Sequence, residues 1–172
     1  MPKAGAGEVQ LTYLCNQHFE ESGRFAGVIV GPELYASDWY SGFHELGMHI
    51  ASEMQALGYA GHFDLDAILD GSGKPSLVEI NSSRTGGTFA HEFMVHRFGP
   101  DYAERITMLS QNKIHTRFKN LAELEEEIGD LLYPIGGSEQ GVIPLLTSTM
   151  FQGEFGGVFL AGDVGDVKEL QD

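Results

Sequence analysis

Four oxygen-bearing side chains stand where two neighbouring strands would bring them together: Asp64 and Asp66 before a glycine-rich turn, Glu79 and Asn81 after it. Residues 61–69 and 75–81 are apolar-rich runs, and Asp70-Gly71-Ser72-Gly73-Lys74 lies between them, which is a hairpin signal. With the turn centred between Ser72 and Gly73, Asp64 faces Asn81, Asp66 faces Glu79 and Leu69 faces Ser76. Directly opposed residues, and residues two apart on one strand, share a face of the sheet. Asp64, Asp66, Glu79 and Asn81 therefore fall on one face, and a slip of one residue would scatter them. Carboxylates opposed in this way repel unless a cation lies between them. Oxygen donors without Cys or His suit a hard ion, and magnesium takes few protein ligands, filling its octahedron with water and phosphate oxygens. Alternation alone also fits an ordinary hairpin with a polar outer face.

The surrounding pattern supplies elements to hold such a hairpin. Residues 9–16 read as a strand, and Gly27-Val28-Ile29-Val30-Gly31 as a buried strand ended by Pro32. Phe43, Leu46, Ile50, Met54 and Leu57 fall at helical spacing, with Gly58 as the stop. After Asn81 comes the polar loop Ser82-Ser83-Arg84-Thr85-Gly86-Gly87-Thr88, and then a helix over residues 89–98. Leu121, Leu124, Ile128, Leu131 and Leu132 mark another helix with Asn120 as N-cap, and its crowd of glutamates reads as a solvated face. Residues 142–146 and 158–161 read as strands and 166–171 as a closing helix. The expected organisation is α+β: residues 1–118 as one domain and 119–172 as a small α/β extension.

Composition bounds the partners. The 172 residues carry 10 Lys and Arg against 25 Asp and Glu, a formal charge of −15. A phosphate backbone is repelled by such a surface, so nucleic acid is not expected as a partner. A nucleotide could be held only through metal ions, backbone N–H groups or a few placed cations. No apolar run reaches the roughly 20 residues of a membrane span, and Met1–Gly5 has no leader-like core, so a cytoplasmic protein without membrane contact is expected. The single Cys15 has no internal disulfide partner and no evident activating neighbour.

The stretch Gly58-Tyr59-Ala60-Gly61-His62-Phe63-Asp64-Leu65-Asp66, then Val78-Glu79-Ile80-Asn81, then Arg84, resembles the C-terminal subdomain of the ATP-grasp superfamily. That family carries an aspartate on one strand, a turn and Glu-x-Asn on the next; Asp66 and Glu79 stand 13 residues apart, which suits the pattern. The likeness centres on residues 43–98. Asn-x-x-Arg-x-Gly-Gly-Thr is more similar to peptide ligases of the pheganomycin type than to biotin carboxylase or D-alanine ligase. The 119–172 tail, with Gly141-Val142-Ile143-Pro144 and Phe155-Gly156-Gly157-Val158, is similar to the segment C-terminal to the fold in that branch.

The resemblance implies an antiparallel sheet with flanking helices and an ATP-dependent carboxylate–amine ligase working through an acyl phosphate. Its ligands would be ATP, magnesium (with manganese as an alternative), a small carboxylate and an amine or peptide. It implies that Asp66, Glu79 and Asn81 hold the metal on the ATP phosphates, that Val78 lines the adenine pocket, and that Arg84 steadies the phosphoryl group or substrate carboxylate. Gly86 and Gly87 would let backbone N–H groups approach an anion at the following helix start. The family often has a basic or neutral residue two before the metal aspartate, so Asp64 is expected beside the ligands rather than among them. About 26 residues precede the first good match, too few for the lysine-bearing N-terminal subdomain, so that subdomain is an expected partner and the isolated chain is expected to be inactive. A non-catalytic nucleotide- or metal-binding module of the same fold, and an interaction domain with an acidic face, are the competing readings.

Other signals fail on geometry. His44 and His49 are five apart and point in different directions on a helix, so His44-Glu45-Leu46-Gly47-Met48-His49 is not a zinc-protease motif. Gly71-Ser72-Gly73-Lys74 lacks the upstream glycine of a P-loop and has Pro75 where Ser or Thr belongs. His91 and His96 read as partly buried helix residues.

Overall fold

The structure is a computed structural model that describes residues 7–171, so the opening Met1–Gly5 segment lies outside it. In chain order the elements are β1 (Asn16–Phe19), β2 (Phe25–Val30), α1 (Pro32–Tyr35), α2 (Tyr40–Ala56), β3 (Asp64–Leu69), β4 (Pro75–Asn81), α3 (Thr88–Phe98), β5 (Thr107–His115), α4 (Leu121–Glu127), β6 (Gly141–Leu146), β7 (Glu154–Ala161) and α5 (Val164–Gln171). The architecture is α+β, and the strands within each sheet pair antiparallel. No described helix is long and apolar enough to cross a membrane.

The described residues divide into two compact units, one of residues 7–14 with Tyr35–Thr85 and the other of Cys15–Leu34 with residues 86–171. The 119–172 stretch supplies β6, β7 and α5 to the second unit, whose five-stranded sheet runs β1-β2-β5-β7-β6.

The core of the second unit is a row of apolar side chains across that sheet. Ile29 pairs with Leu109, Leu109 with Phe159 and Phe159 with Val142, so the four share one face. Val167 of α5 joins their cluster, with Val164 and Leu170 packed against it. The alternate face presents Val30, Met108 and Leu160, all fully buried. A second cluster of Leu124, Met150 and Phe155 fixes α4, whose start is capped as expected: the Asn120 side chain accepts the Glu123 N–H at 3.0 Å. The helix is shorter than its leucine pattern, because it ends at Glu127 and gives way to a 3-10 turn over Gly129–Leu131.

Strand β5 is not among the elements expected from the pattern of residues, yet it pairs with both β2 and β7. Its polar residues explain the omission. Thr107 and Ser110 are fully buried, and Ser110 Oγ accepts the Val28 N–H at 3.0 Å, so a hydroxyl stands in for a ladder partner. Of residues 9–16, expected as a strand, 9–15 form none; the strand there is β1, beginning at Asn16.

In α3, Ala90 and Met94 are fully buried, and His91 Nδ1 lies 3.0 Å from the hydroxyl of the fully buried Tyr102. Burial holds the His91 imidazole below its ordinary pKa of 6.5, against the smaller opposing pull of Glu92. A lowered folded-state pKa means that stability from the neutral ring is fully present above 6.5 and is lost as pH falls through the folded value. Urea titrations between pH 7.5 and 5 should therefore show a stability decline that His91→Gln reduces. An unchanged decline in that variant would show that His91 does not contribute to it.

Candidate metal centre on the β3–β4 hairpin

The first unit is built thinly. Among its described residues only Leu14 and Ala51 are buried apolar side chains. A two-stranded sheet is marginal alone and needs a helix against it. Helix α2 approaches it at one point, where Leu65 Cδ1 of β3 lies 3.7 Å from where a Cβ on Gly47 would sit. Phe43, Leu46, Ile50 and Met54 are half-buried along α2, but Leu57, the last residue of the expected stripe, is the C-cap and is 88% exposed.

The hairpin pairs Asp64 with Asn81, Leu65 with Ile80 and Asp66 with Glu79. The four polar residues thus share one face, as expected. The route to that register differs from the expected one. Nearer the turn the partners are Ala67–Leu77, Ile68–Ser76 and Leu69–Pro75, so Leu69 does not face Ser76. The turn is a three-residue loop, not a two-residue one. Asp70 N–H donates to Lys74 O at 3.1 Å, and Gly73 adopts φ 80°, the left-handed position of a type I turn with a G1 bulge. The Asp70 carboxylate accepts from Ser72 N–H, Ser72 Oγ and Lys74 N–H, and these bonds hold its pKa below the usual carboxylate range, the Ser72 hydroxyl most of all.

A second irregularity, between Asp66 and Ala67, restores the register. Val78 is the extra residue on β4, opposed by none on β3, and it is 59% exposed. The loop shifts the pairing by one, and the bulge shifts it back where the carboxylates begin.

The geometry of the face is that of concentrated negative charge. Asn81 Nδ2 donates to Asp66 Oδ2 at 3.1 Å, which leaves the amide oxygen as the other polar atom of that side chain. Asp64 carries a raised pKa. Burial is the largest cause, repulsion from Asp66 the next and repulsion from Glu79 a smaller one, while the Leu65 N–H and the Thr85 hydroxyl pull the other way. Thr85 has no role that its residue type and spacing announce. Its hydroxyl bond to Asp64 ties the loop after β4 back to the acidic face, and its place directly after Arg84 is the only sign along the chain.

Arg84 is exposed in the loop after β4. Gly87 is the N-cap of α3 and makes no side-chain cap, and Gly86 precedes it, so both glycines stand at a helix start as expected. Gly86 is exposed, but a Cβ on it would lie 3.1 Å from Asn112 Nδ2 and 3.5 Å from the Phe25 ring. Cys15 is partly buried and forms no disulfide among the described residues.

Among the described residues no three His, Cys, Asp or Glu side chains are gathered as a ready-made metal cluster. Any ion here would rest on two carboxylates and an amide, with its other positions filled from solvent or phosphate. That donor set fits magnesium better than zinc.

A scan against models of known protein families finds no match to this chain, and a search among curated proteins finds none either.

Proposed function

We propose that this chain is the C-terminal part of an ATP-grasp ligase domain, which joins a carboxylate to an amine or peptide at the expense of ATP. The observation that supports this reading most is the opposition of Asp66 and Glu79 on neighbouring strands, with Asn81 bonded to Asp66. Asp66 and Glu79 offer one carboxylate from each strand and Asn81 a neutral oxygen, a set suited to magnesium, or manganese, riding on ATP phosphates. Bound there, the ion neutralises charge on the transferring phosphoryl oxygens. Val78, set out of the ladder by the bulge, offers an apolar side chain to adenine. Arg84 offers a fork of donors to a carboxylate or acyl phosphate. Gly86 and Gly87 offer backbone N–H groups to an anion at the start of α3.

In this reading the substrate carboxylate attacks the γ-phosphorus, ADP leaves, and the amine displaces phosphate from the acyl phosphate. Most of the catalysis is placement and electrostatics. The −15 charge of the chain leaves the cations for the phosphates to a lysine-bearing N-terminal subdomain, the partner this reading requires.

Thermal unfolding with magnesium tests the metal half of the proposal. Opposed carboxylates cost stability without a cation, and an ion that binds only the folded state stabilises it by mass action. At a tenfold excess over its dissociation constant magnesium should contribute about 1.4 kcal/mol. Glu79→Gln keeps the shape, removes one charge and should lose most of the response, while being at least as stable as the parent without metal. Sodium chloride at matched ionic strength is the control for screening. An equal rise in sodium chloride, or a full response in Glu79→Gln, would rule out a specific ion site on this hairpin.

A further inference from the structure

Three uncharged side chains fasten the end of α5 to the sheet of the second unit. Gln171 Nε2, in the last turn of α5, lies 3.1 Å from His18 Nε2 on β1 and 3.0 Å from Gln111 Oε1 on β5. With Gln171 Nε2 placed toward both neighbours it donates to each, so His18 Nε2 is assigned as the acceptor and the proton of the neutral ring to Nδ1. We propose that His18, Gln111 and Gln171 form a proton-sensitive latch, closed while the His18 imidazole is neutral, that holds the last turn of α5 against β1 and β5.

Protonation sets Nε2–H of His18 against the NH₂ group of Gln171, donor against donor. Turning the Gln171 carboxamide alone would then set its oxygen against Gln111 Oε1, acceptor against acceptor. Both carboxamides would have to turn together to rebuild the network around an imidazolium. The charges facing His18 oppose that outcome on balance. Lys168, one turn back on α5, disfavours a second cation beside it, while Glu20 favours one but is already engaged by Arg24 at 2.7 Å. Burial weighs against the imidazolium more than either, and the ring's pKa is accordingly lowered from 6.5. Release of Gln171 is the remaining response. The rest of α5 stays anchored, because Val167 is fully buried in the core cluster. Opening is therefore confined to the last turn.

Hydrogen exchange of the α5 amides, read with the His18 ring signals by NMR on the full chain from pH 7.5 to 4.5, tests the latch. After correction for the intrinsic pH dependence, exchange in the last turn should speed up about fivefold as His18 titrates, the worth of one ordinary hydrogen bond. His18→Gln keeps an acceptor but has no proton to gain, and should show no such step. Gln171→Ala should exchange quickly at every pH and, by reciprocity, raise the His18 midpoint. The latch is overturned if His18→Gln keeps the step, if the parent titrates with no change in α5, or if His18 stays neutral down to pH 4.5.

Discussion

If the proposed ligase reading holds, Glu79→Ala in this chain joined to a lysine-bearing subdomain is expected to lower amide formation at least about a hundredfold, the usual scale for losing one preorganised electrostatic contact to a transferring group. Glu79 pairs directly with Asp66 across the hairpin, so the substitution removes half of the carboxylate set that would hold the ion. The loss should fall mainly on kcat, because the interaction grows as charge develops on the phosphoryl oxygens. Asp64→Asn supplies the contrast. Asp64 shares the face but faces Asn81, and its carboxyl is bonded by Thr85, so it acts through neighbours and its loss should cost about tenfold or less. On the same reading the 172 residues alone should turn over no ATP, since a single subdomain would form no closed, dry site. Turnover by the isolated chain that vanishes in Glu79→Ala would overturn the need for a partner. Full activity of Glu79→Ala in the joined enzyme would overturn the ligase reading of this face.

The hairpin was legible because its cues are local. Alternation, the glycine-bearing turn and the carboxylate spacing all lie within residues 61–81, and the opposition of Asp66 and Glu79 follows from them. It was reached through two offsetting irregularities. The three-residue loop around Gly73 and the bulge at Val78 each shift the register by one, and a count from a two-residue turn lands on the same partners at the site while missing them near the turn. Helix α4 was legible at its start for the same local reason, since Asn120 caps its own chain three residues on.

The features that escaped depend on distant partners. Ser110, Gln111, Asn112 and Lys113 in β5 break any apolar alternation, and nothing within the strand announces that Ser110 will be paired with Val28 N–H, 82 residues away. The same holds for the grouping of strands. β6 and β7 follow β5 in sequence, yet β5 lies between β2 and β7, an order settled by side-chain rows such as Ile29–Leu109–Phe159–Val142 rather than by any segment alone. His18, Gln111 and Gln171 are another such case: the three come from β1, β5 and α5 and show no common pattern along the chain.

The largest effect on stability should come from a single added methyl group, in Gly27→Ala. Gly27 lies in β2, which passes the buried first half of β5. A Cβ there would sit 1.8 Å from Ser110 O and 2.7 Å from Ser110 C, both backbone atoms that no rotamer change can move aside. The strands would have to separate at the point where Val28 N–H bonds Ser110 Oγ, so the clash also threatens that bond. Overpacking a close-packed interior costs about 1–3 kcal/mol and occasionally more, and with backbone in the way the upper end is expected. For a chain of this length about 3 kcal/mol lowers the melting temperature by roughly 6–12 °C. Gly42→Ala is the matched control. Gly42 lies inside α2 with nothing within 4 Å of an added Cβ, so alanine there should raise stability by up to about 1 kcal/mol through helix propensity alone. Urea unfolding of the two variants beside the parent should show opposite signs. If Gly27→Ala were as stable as the parent, β2 and β5 could not approach as closely as described. The row that joins Ile29 to Leu109 would then need a different register.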